Sequence, residues 1–202
     1  MATTQAHTAA DHDHHDHKPH GIGRWLYATN HKDIGTMYLV FACIMFFVGG
    51  TMALIIRAEL FQPGLQFVDP AFFNSMTTMH ALVMIFGAVM PAWTGLANWM
   101  IPMQVGAPDM ALPRLNNFAV LIPPVACTLL LATLFVPGGA PAGGWTMYPP
   151  LVLQTGDAFP FLIFAIHLMG ASSILGAINV VVTVMNMRAP GVGLLNMPLF
   201  VW

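Results

Sequence analysis

Residues 70–108, PAFFNSMTTMHALVMIFGAVMPAWTGLANWMIPMQVGAP, contain no Asp, Glu, Lys or Arg, yet keep His80 and Asn98 among Met, Val, Phe and Gly. A charge-free run longer than the ~20 residues that cross a bilayer as a helix reads as a membrane span. Hydrocarbon cannot solvate an imidazole, so a histidine inside such a span marks a functional site by default. The helix is predicted over about 75–103, with loop at both ends and Pro91 as a candidate kink.

Three more uncharged runs share this character: Ile34–Ile56, Leu115–Gly156 and Ala158–Met187. They predict helices over about 34–57, 115–136 and 158–187. The Gly/Pro cluster VPGGAPAGGW ends the third helix near Phe135. A fifth apolar stretch, 194–202, reads as the start of another span cut off by the chain end, which predicts a fragment of a longer protein. The fold class is therefore all-α: a polytopic transmembrane bundle of four helices and the beginning of a fifth.

Composition agrees. The chain is 57% hydrophobic and 7% charged, against about 25% charged in soluble domains. A formal net charge of −2 argues against a nucleic-acid partner. Cys43 and Cys127 lie in apolar runs and form no Cys-x-x-Cys pair, so they read as small buried hydrophobes. The opening residues lack the basic start and short apolar stretch of a cleavable signal. Residues 1–22 read as a disordered His/Asp-rich tail ahead of a membrane domain over 23–202. Its His12, His14, His15 and His17 are candidate ligands for a divalent metal, with a plain solvated tail as the simpler alternative. With four crossings, Lys18, Arg24, Lys32, Arg114 and Arg188 fall on one side and Arg57 on the other. Basic residues mark the inner side, so the N-terminus is predicted to be cytoplasmic. No internal repeat, Gly-rich phosphate loop or nucleophile triad is visible.

The polar residues inside the spans follow helical spacing. His80, Met84, Gly87, Pro91, Gly95 and Asn98 step by three or four, which predicts one face. From His80 to Asn98 the helix runs about 27 Å, so one lies near the outer boundary and the other near the inner one. His80 admits three readings: an interhelical hydrogen-bonding group, a proton carrier, or an axial ligand to haem iron. Ser172, Gly176, Asn179 and Thr183 form a second stripe, with Ser173 alongside. It reads either as helix–helix glue or as a water-lined proton path, entered at Asp109 with Asn98 and Asn116 nearby. His167 has no evident partner and reads as structural. Arg57 either snorkels to the interface or donates to a polar cofactor substituent. RAELFQPG places Glu59 and Gln62 as a weak oxygen-ligand signal for a hard cation.

The strings TNHKDIGTMYL, RAELFQPG, TTMHALVMIF, NWMIPMQVGAPDMALPRLNN, GWTMYPPL, HLMGASSILGAINVVVTVMNMRAPG and MPLFVW together resemble subunit I of the haem–copper oxidases, in particular bacterial cytochrome c oxidases of the haem a type. The likeness runs from Gly23 to Trp202, with the motifs in family order. It implies a twelve-helix subunit of which this chain supplies about the first third. It implies that His80 is an axial ligand of a low-spin haem a and that Arg57 bonds the formyl group of that haem. Asp109 resembles the mouth of a proton pathway, and Asn98, Asn116, Ser172, Ser173 and Asn179 match polar residues along it. Glu59, Gln62 and Gly64 resemble an outer calcium or sodium site, and Trp145 and Tyr148 a segment near the oxygen-reducing centre. One departure is Ala81, where the family usually has Gly.

The resemblance also implies a terminal oxidase. Electrons from cytochrome c would pass through haem a to a haem–copper centre that reduces oxygen to water, coupled to proton pumping. Partners would be oxidase subunits II and III and membrane lipids, in a bacterial inner membrane. The quinone-site positions of the related quinol oxidases fall on Val48, Met52 and Phe72, which cannot bond a quinone head group. The ligands of the high-spin haem and of copper belong to later helices, so no catalytic residue is expected among these 202 residues. Quinol oxidase and a cofactor-free transporter are the alternatives, and transporters often show repeated halves that are absent here.

Overall fold

The computed structural model describes residues 21–202, so expectations for the tail over 1–20 lie outside the described residues. Every regular element among the described residues is helical. A short helix α1 (Ile22–Leu26) precedes α2 (His31–Glu59). The second span is continuous over Pro70–Val105. It comprises α3 (Pro70–Leu82), a π-helical segment Val83–Val89, and α4 (Met90–Val105). Next come α5 (Pro113–Ala132) and α6 (Ala158–Asn186). Four helices are thus long and apolar enough to cross a membrane, and the chain is a multi-pass helical membrane protein.

Local chemistry sets the ends. Asn30 caps α2 by accepting from the Lys32 N–H at 2.8 Å, and Asp69 caps α3 by accepting from Ala71 and Phe72, both at 2.9 Å. These caps carry both helices a few residues past the predicted starts at 34 and 75, since each satisfies N–H groups that an uncapped end leaves orphaned. Pro70 and Pro113 occupy first-turn positions, where the missing N–H costs nothing. Gly106 ends α4 in the left-handed region at φ 74°.

The stretch 194–202 forms a 3₁₀ turn at Leu194–Asn196 and then a turn closed by the Val201 N–H on the Pro198 carbonyl at 3.0 Å. Met197 is extended at ψ 149° ahead of Pro198, as Asp69 is at ψ 160° ahead of Pro70 where α3 begins. Met197 tucks its side chain against Ile101, Val105 and Ala107.

In lipid the hydrophobic effect does not hold helices together, so close backbone approach and buried hydrogen bonds must do so. The tightest approach joins α2 to α4. A Cβ on Gly35 would lie 2.9 Å from the Gly95 carbonyl oxygen, and one on Gly95 would lie 3.0 Å from that of Gly35. Further along, Gly49 receives Met84, and Gly87 receives Met45 and Cys127. An apolar layer of Met45, Met79, Leu82, Val83, Leu162 and Met169 fills the half of the bundle nearest His80.

The π segment explains how Pro91 is housed. In the middle of an unbroken α-helix, proline costs about 3 kcal/mol through a lost bond and a ring clash. Here the Met90 N–H reaches back five residues to the Ile85 carbonyl, and α4 starts afresh with Pro91 in its first turn. The predicted kink is thus a wide turn that inserts rotation between the two halves of the span.

Candidate functional site

His80 is half-buried on α3, and its Nδ1 lies 2.9 Å from the Gly49 carbonyl oxygen of α2. A carbonyl only accepts, so Nδ1 carries the proton and donates. Nε2 is left with its lone pair and has no hydrogen-bond partner among the described residues. Metal-binding histidines typically use one ring nitrogen on the metal and donate the other to a backbone carbonyl, which fixes tautomer and ring angle. The donor chemistry therefore fits an axial haem ligand. Arg57 is exposed at the end of α2 and makes no hydrogen bond among the described residues. It stands two turns beyond Gly50, about 10 Å along the axis, and its guanidinium is free to donate.

A polar seam occupies the opposite half. Asp109 Oδ1 accepts from the His31 backbone N–H at 3.0 Å and from its neighbour Met110 at 2.7 Å. The buried His31 ring bonds through Nδ1 to the Asn98 carbonyl at 2.9 Å. Asn116 Nδ2 donates to Asn98 Oδ1, joining α5 to α4 with both amides buried. Asn179 Oδ1 accepts from the Leu112 N–H and Thr183 Oγ1 from the Ala111 N–H, both at 2.9 Å. Ser172 Oγ donates to the Ala119 carbonyl at 2.7 Å. Asn98, Asn116, Ser172 and Asn179 are buried in the bundle interior, and Asp109 is half-buried in the loop at its end. Ser173 is exposed but borders the same cavity as Ser172.

That cavity, about 20 Å³, is lined by Tyr38, Pro91, Thr94, Ser172 and Ser173 with apolar neighbours. The threshold for one water is roughly 10–15 Å³ on this measure. One buried polar atom of its lining, the Tyr38 hydroxyl, lacks a protein partner. A buried orphan of this kind costs about 1–3 kcal/mol, so a bridging water is the economical solution. Phe86, Met90 and Met169 complete its lining, and Phe86 and Met169 belong also to the apolar cluster under His80. Seam and imidazole occupy separate halves of the molecule.

Several residues here lay beyond sequence reasoning. His31 and Tyr38 lie in the string TNHKDIGTMYL without standing out from it, Thr94 lies in none of the strings, and the surroundings of all three come from what packs against them. Thr183 was visible as part of the stripe, but not its bond to the loop before α5.

The expected single face of His80, Met84, Gly87, Pro91, Gly95 and Asn98 is divided. His80, Met84 and Gly95 address α2, at Gly49 and Gly35, and Gly87 lies between Met45 of α2 and Cys127 of α5, whereas Pro91 and the Asn98 amide turn toward α5 and α6. The π segment supplies the rotation.

Both Glu59 oxygens are taken by backbone N–H groups of Gln66, Phe67 and Val68, at 2.8, 2.6 and 3.0 Å. Glu59 and Gly64 share a cleft with Asn74, but Gln62 is exposed and outside its lining. Among the described residues no group of three His, Cys, Asp or Glu side chains is placed to hold a metal. The carboxylate here fastens the loop after α2. Trp145 and Tyr148 are exposed in the loop after α5. That loop is pinned to α3 by Ser75 Oγ donating to the Ala140 carbonyl at 2.8 Å and by the Gly144 N–H donating to Thr78 Oγ1 at 3.0 Å. His167 bonds its own helix at the Ile163 carbonyl, as a structural role predicts.

Four apolar spans around a buried seam, with the half-buried His80 imidazole held by Nδ1 inside the second span as His31 and His167 are held elsewhere, define a multi-pass membrane protein with a polar interior. The chain belongs to the family of cytochrome c and quinol oxidase polypeptide I, whose model matches residues 33–202. It is 43% identical over 182 residues to cytochrome c oxidase subunit 1 of Corynebacterium diphtheriae, covering 89% of this chain and 32% of that protein. Cytochrome c oxidase subunit 1 of Candida albicans is 44% identical, over 90% of this chain and 35% of its own length. A probable cytochrome c oxidase subunit 1-alpha of Streptomyces coelicolor is 42% identical, over 89% and 32%. The chain therefore spans about a third of the length of the curated relatives it matches.

Proposed function

We propose that these residues form the part of a proton-pumping cytochrome c oxidase subunit that holds low-spin haem a and opens its proton path. The observation that carries this reading is the His80 ring, fixed through Nδ1 on the Gly49 carbonyl with Nε2 unengaged. When bound, the haem supplies one-electron chemistry. His80 holds the iron and Arg57 donates to the formyl substituent. Burial and hydrogen bonding around the ligand tune the potential.

Asp109 takes up protons at the cytoplasmic surface. His31, Asn98 and Asn116 form the polar throat behind it, and Tyr38, Ser172 and Ser173 hold water further in. Asn179 and Thr183 fix the turn that presents Asp109. Hydroxyls and amides suit such a path because they bind water without the desolvation cost of a buried charge. The second axial ligand, the high-spin haem and copper belong to the rest of the subunit, with Trp145 and Tyr148 in a segment that approaches that centre. Cytochrome c is the electron donor, since Val48, Met52 and Phe72 offer a quinone nothing to bond. Subunits II and III complete the complex in a bacterial inner membrane, where the donor delivers electrons for the reduction of oxygen.

The test is His80→Ala in the full-length oxidase. The low-spin haem absorption should vanish while the remaining subunit assembles. An unchanged low-spin spectrum removes His80 as the ligand and the reading with it.

A further inference from the structure

We propose that Pro91, through the π-helical segment Val83–Val89 that precedes it, sets the angle between the His80 ring and the Asn98 amide, and so is a positioning residue for both halves of the machinery. The inference rests on the function proposed above. Eighteen α-helical steps make five turns and would leave His80 and Asn98 in line (about 100° per residue). A π turn takes in roughly one residue more than an α turn, which shifts everything after it by about 100°. The side-chain partners show that shift for Pro91, Thr94 and Asn98, while the side-chain-free Gly95 keeps its packing on Gly35 of α2. His80 bonds the Gly49 carbonyl of α2, and Met84 packs on the same glycine. Past the π segment, Pro91 and Thr94 border the cavity shared with Pro123 of α5 and Ser172 of α6, and Asn98 Oδ1 accepts from Asn116 of α5.

Pro91 is the chemical reason for the wide turn. Its ring cannot follow an α-helical carbonyl four residues back, and it has no N–H to donate. The Met90 N–H bonds Ile85 five residues back, and Pro91 falls where a first turn needs no donor. With alanine at 91, the commoner α-helical bonding becomes available throughout 83–95. The two halves then lose their offset, and either His80 leaves Gly49 or Asn98 leaves Asn116.

The experiment compares full-length oxidase complexes carrying Pro91→Ala, Pro91→Ala with Val89 deleted, and His80→Ala. Val89 is 48% exposed, and deleting it takes out one residue of helix at little cost in packing. The readouts are haem content, the paramagnetic-resonance signature of the low-spin haem, and the rate of proton uptake. Pro91→Ala should keep its haem, shift the low-spin signature or slow proton uptake by on the order of 10²-fold, the scale of a misplacement near 1 Å. Deleting Val89 in that background should restore both. Wild-type signature and uptake in Pro91→Ala overturn the proposal, as does a defect that the deletion leaves uncorrected. Where Pro91→Ala fails to assemble, recovery of an assembled wild-type spectrum in the deletion variant supports the proposal and continued failure overturns it. Retention of the low-spin signature in His80→Ala sinks the ligand assignment separately, whatever Pro91 does.

Discussion

Asp109 holds two duties that one substitution separates. Its Oδ1 accepts the N–H groups of His31 and Met110, which an asparagine amide oxygen can do as well. Only the charge and the proton-binding site are lost in Asp109→Asn. The bundle should therefore assemble normally, while proton uptake falls by about 10²-fold, the lower end of what a positioned proton-transfer group contributes. Time-resolved uptake measured with a pH indicator checks this. Unchanged uptake removes Asp109 from the path. His80 is the complementary case, because its Nδ1 bonds Gly49 and its Nε2 is the atom proposed for the metal, and alanine removes both at once.

At the scale of elements, the bundle depends on how closely α2 and α4 approach. Gly35→Ala places a methyl 2.8 Å from the Trp99 ring and 2.9 Å from the Gly95 carbonyl. Backbone cannot swing aside as a flexible side chain can, so the helices must separate. A loss of about 1–3 kcal/mol is expected, read as a lowered thermal transition of the purified protein, with the His31–Asn98 bond the first to go. The same scale shows what was legible beforehand. Charge-free runs located all four spans, because uninterrupted apolar length is sufficient evidence of a crossing. The polar stripe of α6 was equally plain, since that helix is regular from end to end. The second span was not, because a steady helical period was assumed through Pro91, and its π turn divides a face that the period makes continuous. Pro91 itself was the available signal. In the loop after α2, the carboxylate of Glu59 accepts three N–H groups that no sequence pattern announces.

For the whole molecule, the ends of the bundle are chemically distinct. Arg24, Asp33, Asp109 and Arg188 gather at one, and Glu59 with the loops after α2 and α5 at the other. The excess of basic residues at the first end predicts that it is cytoplasmic. Single cysteines at Gly21 and Gln62, in a background without Cys43 and Cys127, should label with an impermeant thiol reagent from opposite sides. Labelling of both from the same side contradicts the four-crossing topology. Only 22% to 39% of each span's apolar window is buried, so most of every helix faces outward, away from the interior of these four spans. The central claim, that the imidazole of His80 is held by one nitrogen so that the other can take iron, is tested most directly by an electron-microscopy map of the full-length oxidase. The account predicts a flat macrocycle whose metal is bonded to His80 Nε2, with Nδ1 still on the Gly49 carbonyl. A His80 ring surrounded by side chains alone, with the macrocycle elsewhere, contradicts it.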